Sequence, residues 1–71
     1  MKYTVIIEKG ESSYGAFVPD LPGCIAAGKT ENEVLNLIKE AIEFHIEGLK
    51  EDEIAIPDPH FDFAQVEINN A

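Results

Sequence analysis

The sequence holds one cysteine, one methionine, no tryptophan and only five basic residues. A lone Cys24 cannot close an internal disulfide, and neither His45 nor His60 stands at a zinc-finger spacing to it. The usual staples of a small domain are therefore missing. A chain of 71 residues has room for one domain, covering 1–71, and buries only about 60% of its unfolded surface. Oligomerisation or partner binding is the remaining way to complete so thin a core. No apolar run is long enough to cross a bilayer, and MKYTVIIEKG is too short and too soon charged for a signal peptide. A cytoplasmic protein with a reduced thiol is expected.

The shortage of cations excludes more. Against five Lys stand 14 acidic residues, for a formal net charge of -9. Residues 1–30 are neutral, since Lys2, Lys9 and Lys29 balance Glu8, Glu11 and Asp20. The deficit lies in residues 31–53, at -6, and in the tail, where Asp58, Asp62 and Glu67 add -3. Phosphate backbones require a basic footprint, so direct nucleic-acid binding is not expected. A field of this sign would instead steer in a basic partner.

What is present divides cleanly along the chain. KYTVIIE alternates, with Tyr3, Val5 and Ile7 on one side and Thr4 and Ile6 on the other, and reads as a strand. KGESS is a polar turn, and SYGAFVP is a second strand that Pro19 halts, which makes residues 2–18 a hairpin. In PDLPGC, Pro22-Gly23 reverses the chain and Cys24 opens a third apolar strand, CIAAGKT, with Gly28 at a bend or bulge. Thr30 and Glu33 spell a capping box ahead of a helix over about 31–50. Val34, Leu35, Ile38, Ala41, Ile42, Ile46 and Leu49 share its apolar face, with His45 among them. Leu37 and Phe44 fall outside that face, beside a stripe that includes Glu40, Glu43 and Glu47. DEIAIPDPH is a helix-free connection, and FAQVEI reads as a fourth strand. The predicted architecture is α+β, in the order β-β-β-α-β, with one helix across one face of the sheet. Its other face would carry Thr4, Ile6 and Phe17, so two apolar patches are left for contacts.

Catalytic chemistry finds little support. His45 is better read as a core histidine bonded to a carbonyl than as a base. Cys24 has no cation near it in sequence to lower its pKa, and no third group completes a Cys–His pair. Most carboxylates sit on the outward helix stripe rather than at strand ends, and Gly10, Gly15 and Gly23 match no nucleotide loop. Neither a metal nor a cofactor is expected.

MKYTVIIEKG, then VPDLPGC, a G-K-T leading into E-N-E-V, AIEFHIEGL and a later IPDP together resemble the HicB-like antitoxin family, from Lys2 to about Ile68. The resemblance implies a partial ribonuclease H-like core without the nuclease's acids. It also implies a partner, a small basic HicA-like toxin that cleaves mRNA and whose active site or RNA-binding surface is masked. Pro19, Asp20, Leu21, Pro22, Gly23, Cys24, Gly28, Thr30 and Glu33 match the motif, and His45 stands where the family often has a histidine. Most of these positions are structural. For partner binding the candidates are Asp20, Leu37, Glu40, Phe44 and Glu47. Asp20 is set either for a toxin contact or for capping its own turn. Many members carry a C-terminal DNA-binding domain; this sequence stops at Ala71 without a basic helix, so operator binding by this chain alone is not expected. The alternatives are a solitary homo-oligomer that uses the same patches for itself, and a metal-dependent nuclease by ribonuclease H analogy.

Overall fold

Three short antiparallel strands and one long helix make up the regular structure, seen in a computed structural model that describes residues 1–69. Strand β1 is Ile6–Lys9, β2 is Tyr14–Phe17, β3 is Ile25–Gly28, and helix α1 is Glu31–Glu51. The sheet order is β1-β2-β3, so both outer strands keep one open edge among the described residues. The register sets Ile6 opposite Phe17 and Phe17 opposite Ile25, one residue out of phase with the row Ile7, Ala16 and Ala26. Because side chains alternate along a strand, the second row faces α1 and the first faces away from it.

The strands are shorter than the sequence pattern. KYTVIIE begins its ladder only at Ile6, since β2 ends at Phe17 and Pro19 lacks an N–H for any further rung. The amide of Val18 is already taken by the Cys24 carbonyl, at 3.2 Å. Residues 2–5 nevertheless keep the expected alternation, and Tyr3, Val5 and Ile7 pack on the core.

That core consists of Ala16, Val18, Leu21, Cys24, Val34 and Ile38. Val34 and Ile38 lie one turn apart on α1, where the 3.6-residue period brings them to the same face. Ala41 and Ile42 extend it from the next turn. Leu35, expected on this face, is 38% exposed and lies at its margin. Burying side chains of this size stabilises the fold by about 1.5–3 kcal/mol each. Leu21, Val34 and Ile38 are the largest that are fully enclosed.

The helix starts where expected, but of the predicted capping box only the Thr30 half forms among the described residues. Thr30 has an extended backbone, and its Oγ1 accepts from the Glu33 N–H at 3.1 Å. Gly28 has a different role from the predicted bend: it stays in register opposite Tyr14. A Cβ there would come within 3.1 Å of the Val34 nitrogen and 3.2 Å of Glu33 Cγ. The glycine thus lets the end of β3 approach the first turn of α1.

Residues 63–68 do not form the expected fourth strand. They carry no ladder to β1 or to any other strand, and every one of them is exposed. A strand-like pattern becomes a strand only against a partner edge, and among the described residues none pairs with this segment. It leaves the domain as an arm, which contributes to overall dimensions of 52 × 26 × 17 Å.

At its other end α1 stops in a left-handed cap. The Glu53 N–H donates to the Lys50 carbonyl at 3.1 Å and the Ile54 N–H to the Leu49 carbonyl at 2.9 Å, with Glu53 at φ 58°. A Glu in this region bears the Cβ crowding that glycine avoids. Glu53→Gly should therefore stabilise the domain by about 1 kcal/mol and raise its melting midpoint by about 5 °C, read by thermal denaturation.

Candidate functional site

The PDLPGC stretch folds as two consecutive turns. In the first, the Leu21 N–H donates to the Val18 carbonyl at 3.0 Å; in the second, the Cys24 N–H donates to the Leu21 carbonyl, also at 3.0 Å. Pro22 and Gly23 occupy the centre of the second turn, and Gly23 has φ +87°, as a type II turn requires of its third residue. Between the turns, Leu21 is driven inward until none of it is exposed. Cys24 is buried beside it, and burial pushes its thiol above the ordinary range, which keeps it protonated and unreactive.

Asp20 is the polar counterpart of Leu21. Its side chain is entirely enclosed, yet it caps no amide of its own turn. Its carboxylate instead reaches across 40 positions of sequence to accept from the His60 N–H, at 3.2 Å to Oδ2, and from the Phe61 N–H at 3.3 Å. The exposed His60 ring adds a contact from Nδ1 to Oδ1 and leans on Phe61, with ring centroids 4.4 Å apart. The same segment is pinned from the N-terminal side: Tyr3 Oη donates to the Pro57 carbonyl at 2.6 Å, and Thr4 Oγ1 to the Phe61 carbonyl at 2.8 Å. Residues 57–61 thus form a strap, with Pro57 and Pro59 partly buried and their rings fixing an extended backbone. Beyond it, Lys2–Val5 and Phe61–Phe63 line an open cleft of about 320 Å³.

Helix α1 carries the second surface. Leu37, Glu40, Phe44 and Glu47 recur at helical spacing and are all exposed, Leu37 by 39% and Phe44 by 80%. They form one stripe in which two apolar side chains alternate with two carboxylates. Asp20 is not part of it, being enclosed under the strap. His45 is half-buried on the core side of α1, and its ring makes no hydrogen bond among the described residues, so the expected carbonyl partner is missing. Among the described residues no three His, Cys, Asp or Glu side chains are grouped to hold a metal ion, and no helix is long and apolar enough to cross a membrane.

Sequence reasoning missed Tyr3, Pro57, His60 and Phe61. The available signal was IPDPH, whose two prolines stiffen a segment that a buried carboxylate could then hold.

A three-stranded sheet backed by one amphipathic helix, with a two-turn loop holding down the segment that follows the helix, defines a small α+β domain. The chain belongs to the HicB-like antitoxin family of bacterial toxin-antitoxin systems, whose model matches residues 3–69. A UPF0150 protein of Thermoplasma acidophilum is 55% identical over 58 residues, spanning 80% of this chain and 84% of that protein. A 14.9 kDa protein from the rep-hol intergenic region of Haemophilus phage HP1 is 49% identical over 57 residues, 80% of this chain. The match covers only 43% of that phage protein, so this chain spans less than half of its length. Among solved structures, a chain of a HicA3 and HicB3 toxin-antitoxin complex superposes with a TM-score of 0.71 at 32% identity, covering 84% of this chain and 70% of that one.

Two measurements test the strap. Asp20→Ala should cost about 2 kcal/mol, the scale of losing hydrogen bonds to a charged acceptor. It should also raise amide exchange at His60 and Phe61 while β2 stays protected; unchanged exchange at both would refute the latch. The Tyr3 phenol is pushed above its ordinary value of 10.0 by burial and, secondarily, by the negative charges of Asp20 and Asp58. The folded state then holds this proton more tightly than the unfolded chain, so its contribution is complete below pH 10.0 and is lost as pH climbs through the raised value. Chemical denaturation at stepped alkaline pH should show that loss, and Tyr3→Phe should remove this component of it.

Proposed function

We propose that this chain is an antitoxin that binds a HicA-like toxin and neutralises it by covering its active site or RNA-binding surface. The observation that carries the reading is the exposed α1 stripe, where Leu37 and Phe44 stand between Glu40 and Glu47. Apolar side chains of this size at the centre of a contact supply most of its affinity, while flanking charge governs approach and partner choice. An acidic surface suits a small basic toxin, and the net charge of -9 extends that field over the molecule. Family membership and the toxin-antitoxin complex that contains the similar solved chain support the same reading.

On this reading the protein acts by occlusion, not catalysis. The ribonuclease H-like core that the family resemblance implies would on this reading be architectural and carry no nuclease chemistry. Its place of action is the cytoplasm, where the toxin meets mRNA, and it approaches the toxin rather than nucleic acid. The second reading, a homo-oligomer without a toxin, draws on the same exposed Phe44.

Affinity purification of this chain from its host, with binding measured for any HicA-like protein recovered, separates the two. Phe44→Asp should weaken the toxin complex by about a hundredfold, the scale of a central hot spot. Reversing Glu40, Glu43 and Glu47 to Lys should slow association about tenfold at low salt and little at high salt. Recovery of no toxin-like protein, with Phe44→Asp affecting only self-association, would move the assignment to the homo-oligomer.

A further inference from the structure

The arm beyond the strap has the pattern of a strand, is exposed at every residue and belongs to a chain whose sheet has open edges. Phe63 is 71%, Val66 77% and Ile68 73% exposed. After Phe61, the only side-chain hydrogen bond among the described residues is local, from the Phe63 N–H to Asp62 Oδ1. An arm so rich in bare apolar side chains and unpaired backbone is adhesive. From this geometry we infer that residues 63–68 form the fourth strand of a second copy of the same chain, adding to the outer edge of that copy's β1, with the exchange made reciprocally about a two-fold axis.

Four observations select this occupant and this edge. First, the strap delivers the arm beside β1: Thr4 binds the Phe61 carbonyl, and Lys2–Val5 share a cleft with Phe61–Phe63, just ahead of Ile6. A two-fold axis near that point carries each arm past the same edge of the other copy. Second, the lengths agree. At about 3.3 Å per residue the six-residue arm reaches about 20 Å, longer than the four residues of Ile6–Lys9.

Third, the charges match in the direction opposite to that of a basic partner. Lys2 and Lys9 bracket β1, with Glu8 its single acid, whereas the arm carries Glu67, follows directly on Asp62 and holds no cation. The side chains along this edge carry a net positive charge, which favours an acidic strand over a basic toxin. Fourth, the apolar faces continue. Ile6, Phe17 and Ile25 form a row across the sheet on the face that α1 leaves bare. Ala64, Val66 and Ile68 alternate with Gln65 and Glu67, so the arm would lengthen that row by one strand. Main-chain bonds to the edge would supply the affinity, and the row would fix the register. The inference is independent of the toxin reading, because it concerns the protein alone and a surface away from the α1 stripe.

The test uses the purified full chain without a toxin. Sedimentation equilibrium should report a dimer, and amide exchange should show protection at residues 63–68 that fades on dilution. In a one-to-one mixture of nitrogen-15- and carbon-13-labelled protein, isotope-filtered spectra should give contacts between the Val66 or Ile68 methyls of one chain and Ile6 of the other. Val66→Asp with Ile68→Asp should weaken dimerisation about a hundredfold. It should leave the circular dichroism of the core intact, since both side chains are free in the single chain. A monomer at all concentrations, contacts from the arm only within one chain, or a dimer indifferent to the double variant would each overturn the inference. So would an arm that gains protection only on addition of a basic toxin.

Discussion

The carboxylate of Asp20 is the constraint on which the arrangement of this molecule depends. It is a negative charge with no exposed surface, and such a group persists inside a protein only when donors surround it. Its donors are the backbone amides of His60 and Phe61, so the loop after β2 and the segment after α1 must meet. Leu21, the next residue, is equally enclosed but in the apolar core. One short loop therefore contributes both a hydrophobic plug and a polar anchor. The two prolines and the left-handed Gly23 hold those neighbouring side chains in opposite environments.

Much of this was legible in the sequence where the signals are local. The alternation of Tyr3, Val5 and Ile7 indicated the buried side of the first segment, although its ladder begins only at Ile6. Thr30 marked the start of α1 because a hydroxyl followed three residues later by an amide in need of an acceptor is a short-range arrangement. The exposure of Leu37 and Phe44 also followed from the helical period, which rotated both away from Val34 and Ile38.

What was not legible depends on contacts between distant positions. Asp20 next to a proline suggests a self-capped turn, and nothing in six residues indicates that its acceptors serve amides near position 60. Gly28 reads as a bend in isolation; its reason is the close approach of the Val34 backbone. FAQVEI is not paired as a strand within the described chain, because alternation describes side chains, whereas a strand is defined by its neighbour. The helix shows the same division: its inner face is set by the core, while its acidic face has no counterpart among the described residues.

The separation of Asp20 from its donors also orders events during synthesis. Sheet pairings and the docking of α1 on β3 join segments close in sequence, so they can form early and at low loop-closure cost. The strap can close only after His60 and Phe61 have left the ribosome. Until then the Asp20 carboxylate must stay hydrated, and the loop that carries Leu21 cannot settle fully. A nascent or clipped chain ending short of position 60 would hold a charge that its own core cannot accept. The domain therefore has a built-in measure of its own completeness, one that a protease surveying partly folded chains could read.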